Sequence, residues 1–130
     1  MHVPPGFTTV FPYIFAKNAG AYLDFLTAGL GGEVTDVAKS TGATVRNAHV
    51  RFGDTTIMVS EAPPAFSDMK STFYLYVENA DAAMARALAA GGVEQSPIKD
   101  QAYGDRQGGV RDPVGNIWWL SQRLAPGGYS

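Results

Sequence analysis

The sequence predicts an α+β fold made of two tandem βαβββ modules, about residues 8–62 and 70–124, within one domain of 130 residues. Three observations predict it. Phe11–Gly31 laid over Thr72–Gly92, an offset of 61 residues, pairs Tyr13 with Tyr74, Asn18 with Asn79, Ala19 with Ala80, Ala21 with Ala82, Ala28 with Ala89 and Gly31 with Gly92. A repeat of that period marks duplication of a supersecondary unit. In both copies a segment rich in aromatic and branched residues leads into an alanine-rich stretch closed by glycines, a switch from strand to helix composition. Both copies then end in two alternating segments around a tight turn, the signature of a hairpin.

The elements follow in chain order. Thr9–Ala16 and Thr72–Glu78 carry the residue types that suit strands. Asn18 and Asn79 are the expected N-caps of helices over Ala19–Ala28 and Ala80–Ala90, which the glycines at 29, 31, 32, 91 and 92 stop. The first hairpin is Val45–Phe52, Gly53-Asp54, Thr55–Ser60. The second is Gly108–Arg111, Asp112-Pro113-Val114-Gly115, Asn116–Gln122, with Pro113 fixing φ and Gly115 tolerating a positive φ, so Arg111 and Asp112 are read as structural. Val50-Arg51 falls over Val110-Arg111 at an offset of 60, and Ile57-Met58 over Trp118-Trp119 at 61. Glu61–Ser71, with Pro63-Pro64, connects the copies.

Composition sets the function classes aside one by one. A net charge of −2, with 10 basic residues scattered along the chain, gives no electrostatic footprint for nucleic acid. The absence of cysteine removes disulfides, thiolate metal sites and a cysteine nucleophile together. Met1–Phe7 has no basic region leading into an apolar stretch, and the apolar runs fall short of a membrane span, so a cytoplasmic protein without membrane contact is expected. No glycine-rich phosphate loop, nucleophile elbow or paired-carboxylate motif occurs, and no cofactor is expected.

Strand parity sorts the side chains. With Gly53-Asp54 as a two-residue turn, Phe52 pairs with Thr55, Arg51 with Thr56, Val50 with Ile57 and His49 with Met58. Val50, Phe52, Ile57 and Val59 form the helix-packing face, leaving Asn47, His49, Arg51, Thr56, Met58 and Ser60 as a candidate cavity lining. In the second copy Thr72, Tyr74 and Tyr76 share one side of the first strand, and Ile117, Trp119 and Ser121 one side of the last. Trp118 and Trp119 point to opposite faces, Trp119 to the cleft. Phe11, Tyr13, Met58, Tyr74, Tyr76 and Trp119 are expected on one concave, aromatic surface, and an apolar cleft with a few polar groups is the default ligand site.

The duplicated βαβββ pattern, from Phe11 to Gln122, resembles the vicinal oxygen chelate superfamily, which includes glyoxalases, bleomycin-resistance proteins and dioxygenases. Within it, the run from Tyr103-Gly104-Asp105-Arg106 to Arg111-Asp112-Pro113-Val114-Gly115 and on to Trp119 is similar to the Gly-Asp-Arg loop and Arg-Asp-Pro-x-Gly hairpin of the PhnB-like branch. The resemblance implies a curved, half-barrel mixed sheet with helices outside, a homodimer, and Tyr103, Asp105 and Arg106 at the cavity rim. It also implies four metal-ligand positions, which fall on Phe11, Met58, Thr72 and Trp119. None is His, Asp or Glu, as a divalent metal would need, so metal-dependent glyoxalase or extradiol dioxygenase chemistry is disfavoured.

The expectation is a metal-free binding protein for a flat or partly apolar small molecule. Phe11, Tyr13, Met58, Tyr74, Tyr76, Tyr103 and Trp119 would supply contact area, and Asn47, His49, Arg51 and Arg106 orientation. The alternative is a metal-independent lyase or isomerase with His49 as general base and Arg51 steadying an anion. For Arg51 and Arg106, structural ion pairs with nearby acids are the competing readings.

Overall fold

Each half of the chain forms a four-stranded mixed sheet with a helix against one face, and the two sheets repeat one strand order. The computed structural model describes residues 2–40, 42 and 44–129; Met1, at the head of the stretch read above as no leader, lies outside them with Thr41, Ala43 and Ser130. The chain divides into two compact units, Met1–Met69 and Lys70–Ser130, called here module one and module two.

Module one runs β1 (Tyr13–Ala16), α1 (Ala19–Asp24), a π-helical turn (Phe25–Gly29), β2 (Glu33–Lys39), β3 (Val45–Phe52) and β4 (Thr55–Glu61). Its sheet order is β1-β4-β3-β2, with β1 parallel to β4 and the other pairs antiparallel. The hairpin register is the predicted one, from Phe52 opposite Thr55 to His49 opposite Met58. Ile14, Ala16, Ala48, Val50, Ile57 and Val59 are buried on one face of the sheet, and α1 with its continuation contributes Tyr22, Phe25 and Leu26 to the core. Each large side chain buried there is worth about 1.5–3 kcal/mol, which fixes the register because a one-residue slip would turn the whole set outward.

Three expectations for this module are corrected. β1 starts at Tyr13, not Thr9, so Phe11 lies outside it. Pro12 has no amide hydrogen to give a ladder, although its carbonyl still accepts from the Met58 amide at 3.1 Å. The helix is regular only to Asp24 and then widens, where the Thr27 hydroxyl donates to the Leu23 and Asp24 carbonyls at 3.0 and 3.2 Å and competes with the backbone ladder. Asn18 is not a side-chain cap: its φ of 56° is left-handed, whereas a capping side chain acts from extended backbone. The Glu61 carboxylate, at the end of β4, accepts from the Asn18 and Ala19 amides instead, both at 2.9 Å.

Module two runs β5 (Thr72–Tyr76), α2 (Ala80–Ala89), β6 (Val93–Asp100), β7 (Asp105–Arg111) and β8 (Ile117–Arg123), in the order β5-β8-β7-β6 with β5 parallel to β8. Here the asparagine cap holds, since Asn79 is extended and its side chain accepts from the Ala82 amide at 3.0 Å. Gln122, matching Glu61 in the repeat, accepts from the Ala80 amide at 2.9 Å. The Asp112 carboxylate accepts from the Val114 and Asn116 amides and from the Trp118 indole at 2.9–3.0 Å, and Gly115 sits at φ 94°, so the turn is structural as expected. β7 is a correction: it begins at Asp105 rather than Gly108, so Asp105 and Arg106 belong to the strand and not to a preceding loop.

Candidate functional site

The face of module two away from α2 carries a polar cluster centred on Asp105, which is fully buried. Register puts Asp105 opposite Arg123, Gln107 opposite Ser121 and Gly109 opposite Trp119, while Tyr74 and Tyr76 on β5 align with Trp119 and Ser121. Alternation along three strands thus sends all these side chains to one side. Asp105 Oδ2 accepts from the hydroxyls of Tyr74, Ser121 and Tyr129, each at 2.7 Å. Oδ1 accepts from Arg123 Nη1 at 2.8 Å.

Proton counting orients the rest. A hydroxyl has one hydrogen, and Tyr129 and Ser121 spend theirs on Asp105, so Tyr76 donates to the Tyr129 oxygen at 2.6 Å and Gln107 Nε2 to Ser121 Oγ at 3.3 Å. Tyr103 in turn donates to Gln107 Oε1 at 2.6 Å. The Arg123 guanidinium reaches the carbonyls of Tyr103 and Gly128 at 2.7 and 3.0 Å and lies 4.2 Å from the centroid of the Tyr129 ring.

Burial by itself pushes the Asp105 carboxyl up, and the Tyr74, Arg123, Tyr129 and Ser121 donors together outweigh it, holding it well below the usual carboxylate range. Tyr129 is raised by its place in the Tyr76–Tyr129–Asp105 hydrogen-bond chain, where it donates to a carboxylate, and by burial. Burial, then the neighbouring Tyr74 and Asp105, also raises Tyr103. The centre is therefore an ionised carboxylate among neutral phenols. With four donors on its two oxygens it is saturated as an acceptor, and so it is built to hold hydroxyl groups rather than to pull protons from carbon.

Trp119 completes this face. Its ring lies so near the β7 backbone that a Cβ on Gly109 would come within 2.8 Å of it, which only glycine permits. Trp118 is buried on the opposite side against Phe73, with ring centroids 4.5 Å apart.

The matching face of module one is simpler. Tyr13 and Ser60 share a hydrogen bond of 2.7 Å, and Asn47 donates to Ser60 at 3.4 Å. His49 Nδ1 is 3.8 Å from Asp36, beyond hydrogen-bond reach, and its ring meets Phe7 edge-on with centroids 5.0 Å apart. Arg51 is exposed and paired with Glu33 at 2.6 Å. Phe11 packs on Phe7, centroids 5.1 Å apart, and Met58 is half-buried on β4 beside Tyr13.

The expected residues separate accordingly. Tyr74, Tyr76, Tyr103 and Trp119 surround one cluster in module two, while Tyr13, Asn47, His49, Arg51 and Met58 share a face of module one. Arg106 joins neither. Strand alternation turns it to the α2 side, where it grips both oxygens of Asp81 at 2.9 and 3.1 Å and Asp100 at 2.9 Å. These carboxylates raise the Arg106 guanidinium further, and Asp81 is lowered, chiefly by the same hydrogen bonds.

Gln107, Arg123 and Tyr129 escaped the sequence reading, which expected Asp105 at the cavity rim rather than as the hub and Ser121 only on the Trp119 side. One signal was present: the offset of 60 that aligns Val50 with Val110 places Asp105 over Val45, a charge over a core position. Among the described residues, no group of three or more His, Asp or Glu side chains converges as a metal would require, and no helix is long and apolar enough to cross a membrane.

The family model described as the Glyoxalase/Bleomycin resistance protein/Dioxygenase superfamily matches residues 7–120. The chain is 28% identical over 122 residues to the uncharacterized protein Mb0911c of Mycobacterium bovis, covering 85% of this chain and 80% of that one. It is similar in structure to TioX from Micromonospora sp. ML1, with a TM-score of 0.74 and 20% identity over 93% of this chain and 100% of TioX. TnmS3, an antibiotic binding protein from Streptomyces sp. CB03234, gives a TM-score of 0.70 and 20% identity over 95% of this chain and 98% of TnmS3.

Proposed function

This chain belongs to the Glyoxalase/Bleomycin resistance protein/Dioxygenase superfamily, and we propose that within it the protein is a metal-free binder of a flat or partly apolar small molecule. The observation that carries the reading is the open face of module two, where the half-exposed rings of Tyr74, Tyr76, Tyr103 and Tyr129 stand around a buried, acceptor-saturated carboxylate. Partly exposed aromatic rings give a ligand contact area at little entropic cost, and a few fixed polar groups orient it. Trp119 of module two belongs to this proposed ligand-contacting set, and Tyr13, Asn47 and Met58 are proposed contacts on the matching face of module one by itself. TnmS3 shows that a chain of this fold can be an antibiotic binding protein.

Donor chemistry supports the metal-free part. Phe11, Met58 and Trp119 offer no nitrogen or oxygen ligand suited to a divalent ion, and the Thr72 hydroxyl donates to the Ile117 carbonyl at 3.2 Å. The residues at the superfamily's metal positions do not fit the metal. Arg51 is already neutralised by Glu33 and His49 lies beyond hydrogen-bond reach of Asp36, so the binder is preferred to a His49-based enzyme. The homodimer and a place in the PhnB-like branch, supported by the Gly104-Asp105-Arg106 and Arg111-Asp112-Pro113 motifs, are parts of the same proposal.

Thermal shift against a panel of planar aromatic metabolites and antibiotics tests the reading. A ligand at a hundredfold excess over its Kd should raise Tm by at least about 5 °C. No shift with any compound, or near-stoichiometric metal accompanied by turnover, would overturn it. A His49→Gln variant that lost turnover of a bound compound while keeping affinity would replace the binder by the enzyme.

A further inference from the structure

Of the four donors to Asp105, three are fixed in the sheet: Tyr74 on β5, and Ser121 and Arg123 on β8. The fourth, Tyr129, comes from residues 124–129, which form no helix or strand and include Pro126-Gly127-Gly128. This segment is held through Arg123 on the Gly128 carbonyl and on the Tyr129 ring, and through the Leu124 amide on the Gly104 carbonyl at 2.8 Å. Tyr74 and Tyr129 are both about half exposed, at 46% and 51%, but Tyr74 is held in β5 whereas Tyr129 lies outside the sheet, so Tyr129 is the donor a solute can displace.

The exchange is chemically specific. Removing Tyr129 leaves a buried carboxylate short of one hydroxyl donor, a deficit that an apolar group cannot make good. It also uncovers a guanidinium face on which a planar ring can stack, on an arginine whose Nε is buried without a hydrogen-bond partner among the described residues. Tyr76 would remain beside it to donate to the incoming oxygen, as it now does to Tyr129.

We propose that Asp105, Arg123 and Tyr76 form a subsite for a phenolic hydroxyl on a flat aromatic ligand, and that Tyr129 is a built-in stand-in for that ligand which must leave before it binds. The inference rests on the reading of this face as a ligand site and deepens it by naming the ligand's chemical class. The segment then sets the apparent affinity, because a ligand competing with an internal occupant binds only to the fraction of molecules in which the occupant is away.

The test uses 2-naphthol as probe and 2-methoxynaphthalene, the same ring system without a donor, as control, titrated by fluorescence against the unaltered chain, Tyr129→Ala and Tyr129→Phe. Tyr129→Ala should lower the Kd for 2-naphthol by about tenfold or more, and that for 2-methoxynaphthalene, which gains only the uncovered guanidinium face, by less. Tyr129→Phe, which keeps the ring but not the donor, should fall between. Circular dichroism melts confirm that the variants are folded. Equal Kd values for 2-naphthol in all three proteins, or an equal gain for the methoxy control, overturn the phenol subsite and leave the aromatic ligand face standing. Binding of neither naphthalene to any of the three overturns both.

Discussion

In both modules a tyrosine on the first strand, a serine on the last and an amide on the third come together: Tyr13, Ser60 and Asn47 bond directly in module one, whereas in module two Gln107 donates to Ser121 while Ser121 and Tyr74 both donate to Asp105. What differs is the position next to the amide, two residues back on the same strand face. Module one has Val45 there, buried and apolar; module two has Asp105, buried and ionised, which brings Arg123 and Tyr129 with it. Both modules carry the polar trio, and in module two Asp105 with Arg123 and Tyr129 makes it a charged, hydroxyl-gathering centre. The difference teaches where a repeat departs from itself: the copies disagree in burial chemistry in module two, at the face proposed to take a ligand.

The comparison breaks most sharply if the carboxylate is returned to the residue of the other module. Asp105→Val strands a part-buried guanidinium and leaves three hydroxyls without their acceptor, and removing the buried partner of an ion pair is among the costlier substitutions. Tm should fall by roughly 10 °C or more, and Arg123→Ala in the same chain should recover part of that loss, which a double-mutant cycle by urea unfolding would read. Additive losses would mean that the two residues act independently. The pH dependence has a definite sign. A carboxyl depressed on folding stabilises above its unfolded value, near the ordinary 3.8, and that stabilisation is lost as pH falls from there toward the lower folded value. Asp105→Asn should therefore flatten stability against pH in the range below about pH 4 and leave the slope near neutrality unchanged.

The next effect isolates the two indoles. The position of Gly109 corresponds to His49 in module one, where the facing residue is Met58 rather than Trp119. A methyl group at Gly109 would stand 2.8 Å from the Trp119 ring and push it off the sheet. Gly109→Ala should cost about 1–3 kcal/mol, shift tryptophan emission to the red as Trp119 becomes wetter, and weaken binding of planar ligands. His49→Ala should leave emission unchanged. An unshifted spectrum in Gly109→Ala would mean that Trp119 does not depend on the missing side chain.

Much of this was legible in the amino-acid order because burial writes itself as alternation. Val50, Ile57 and Val59 inward with Asn47, His49 and Met58 outward fixed both the first hairpin and its register. The strands β2 and β6 left no such trace. Every residue of β2 is exposed, so no apolar alternation exists to be seen, and β6 at the end of its sheet carries Pro97 within the register shift between Ser96 and Lys99. The cluster was half legible. Tyr74, Tyr76, Tyr103 and Trp119 stand out as aromatics, but a buried aspartate reads like any loop acid until its four donors are assembled, and those come from β5, β8 and residue 129, up to 31 positions away. Arg106 is the reverse case, a conspicuous arginine that Asp81 and Asp100 hold in ion pairs, as the competing reading of the sequence had it.

The smallest effects test whether the modules cap their helices alike. Glu61 alone satisfies two amides at the start of α1, because Asn18 is left-handed and its side chain makes no cap, whereas Gln122 shares that task on α2 with Asn79. The Glu61 carboxylate also lies at the positive end of the helix, a favourable placement that a neutral glutamine lacks. Glu61→Ala should therefore cost about 1–2 kcal/mol and Gln122→Ala about 0.5–1 kcal/mol by urea unfolding. Serine at the matched asparagines separates the mechanisms further. Asn79→Ser keeps an equally good cap and should stay within about 0.3 kcal/mol of the unaltered chain, while Asn18→Ser places a residue less tolerant of positive φ at 56° with no capping bond to gain, at a cost of about 1 kcal/mol. If the two serine variants behaved alike, the asymmetry between a carboxylate-capped and an asparagine-capped helix would be a feature of geometry without energetic weight.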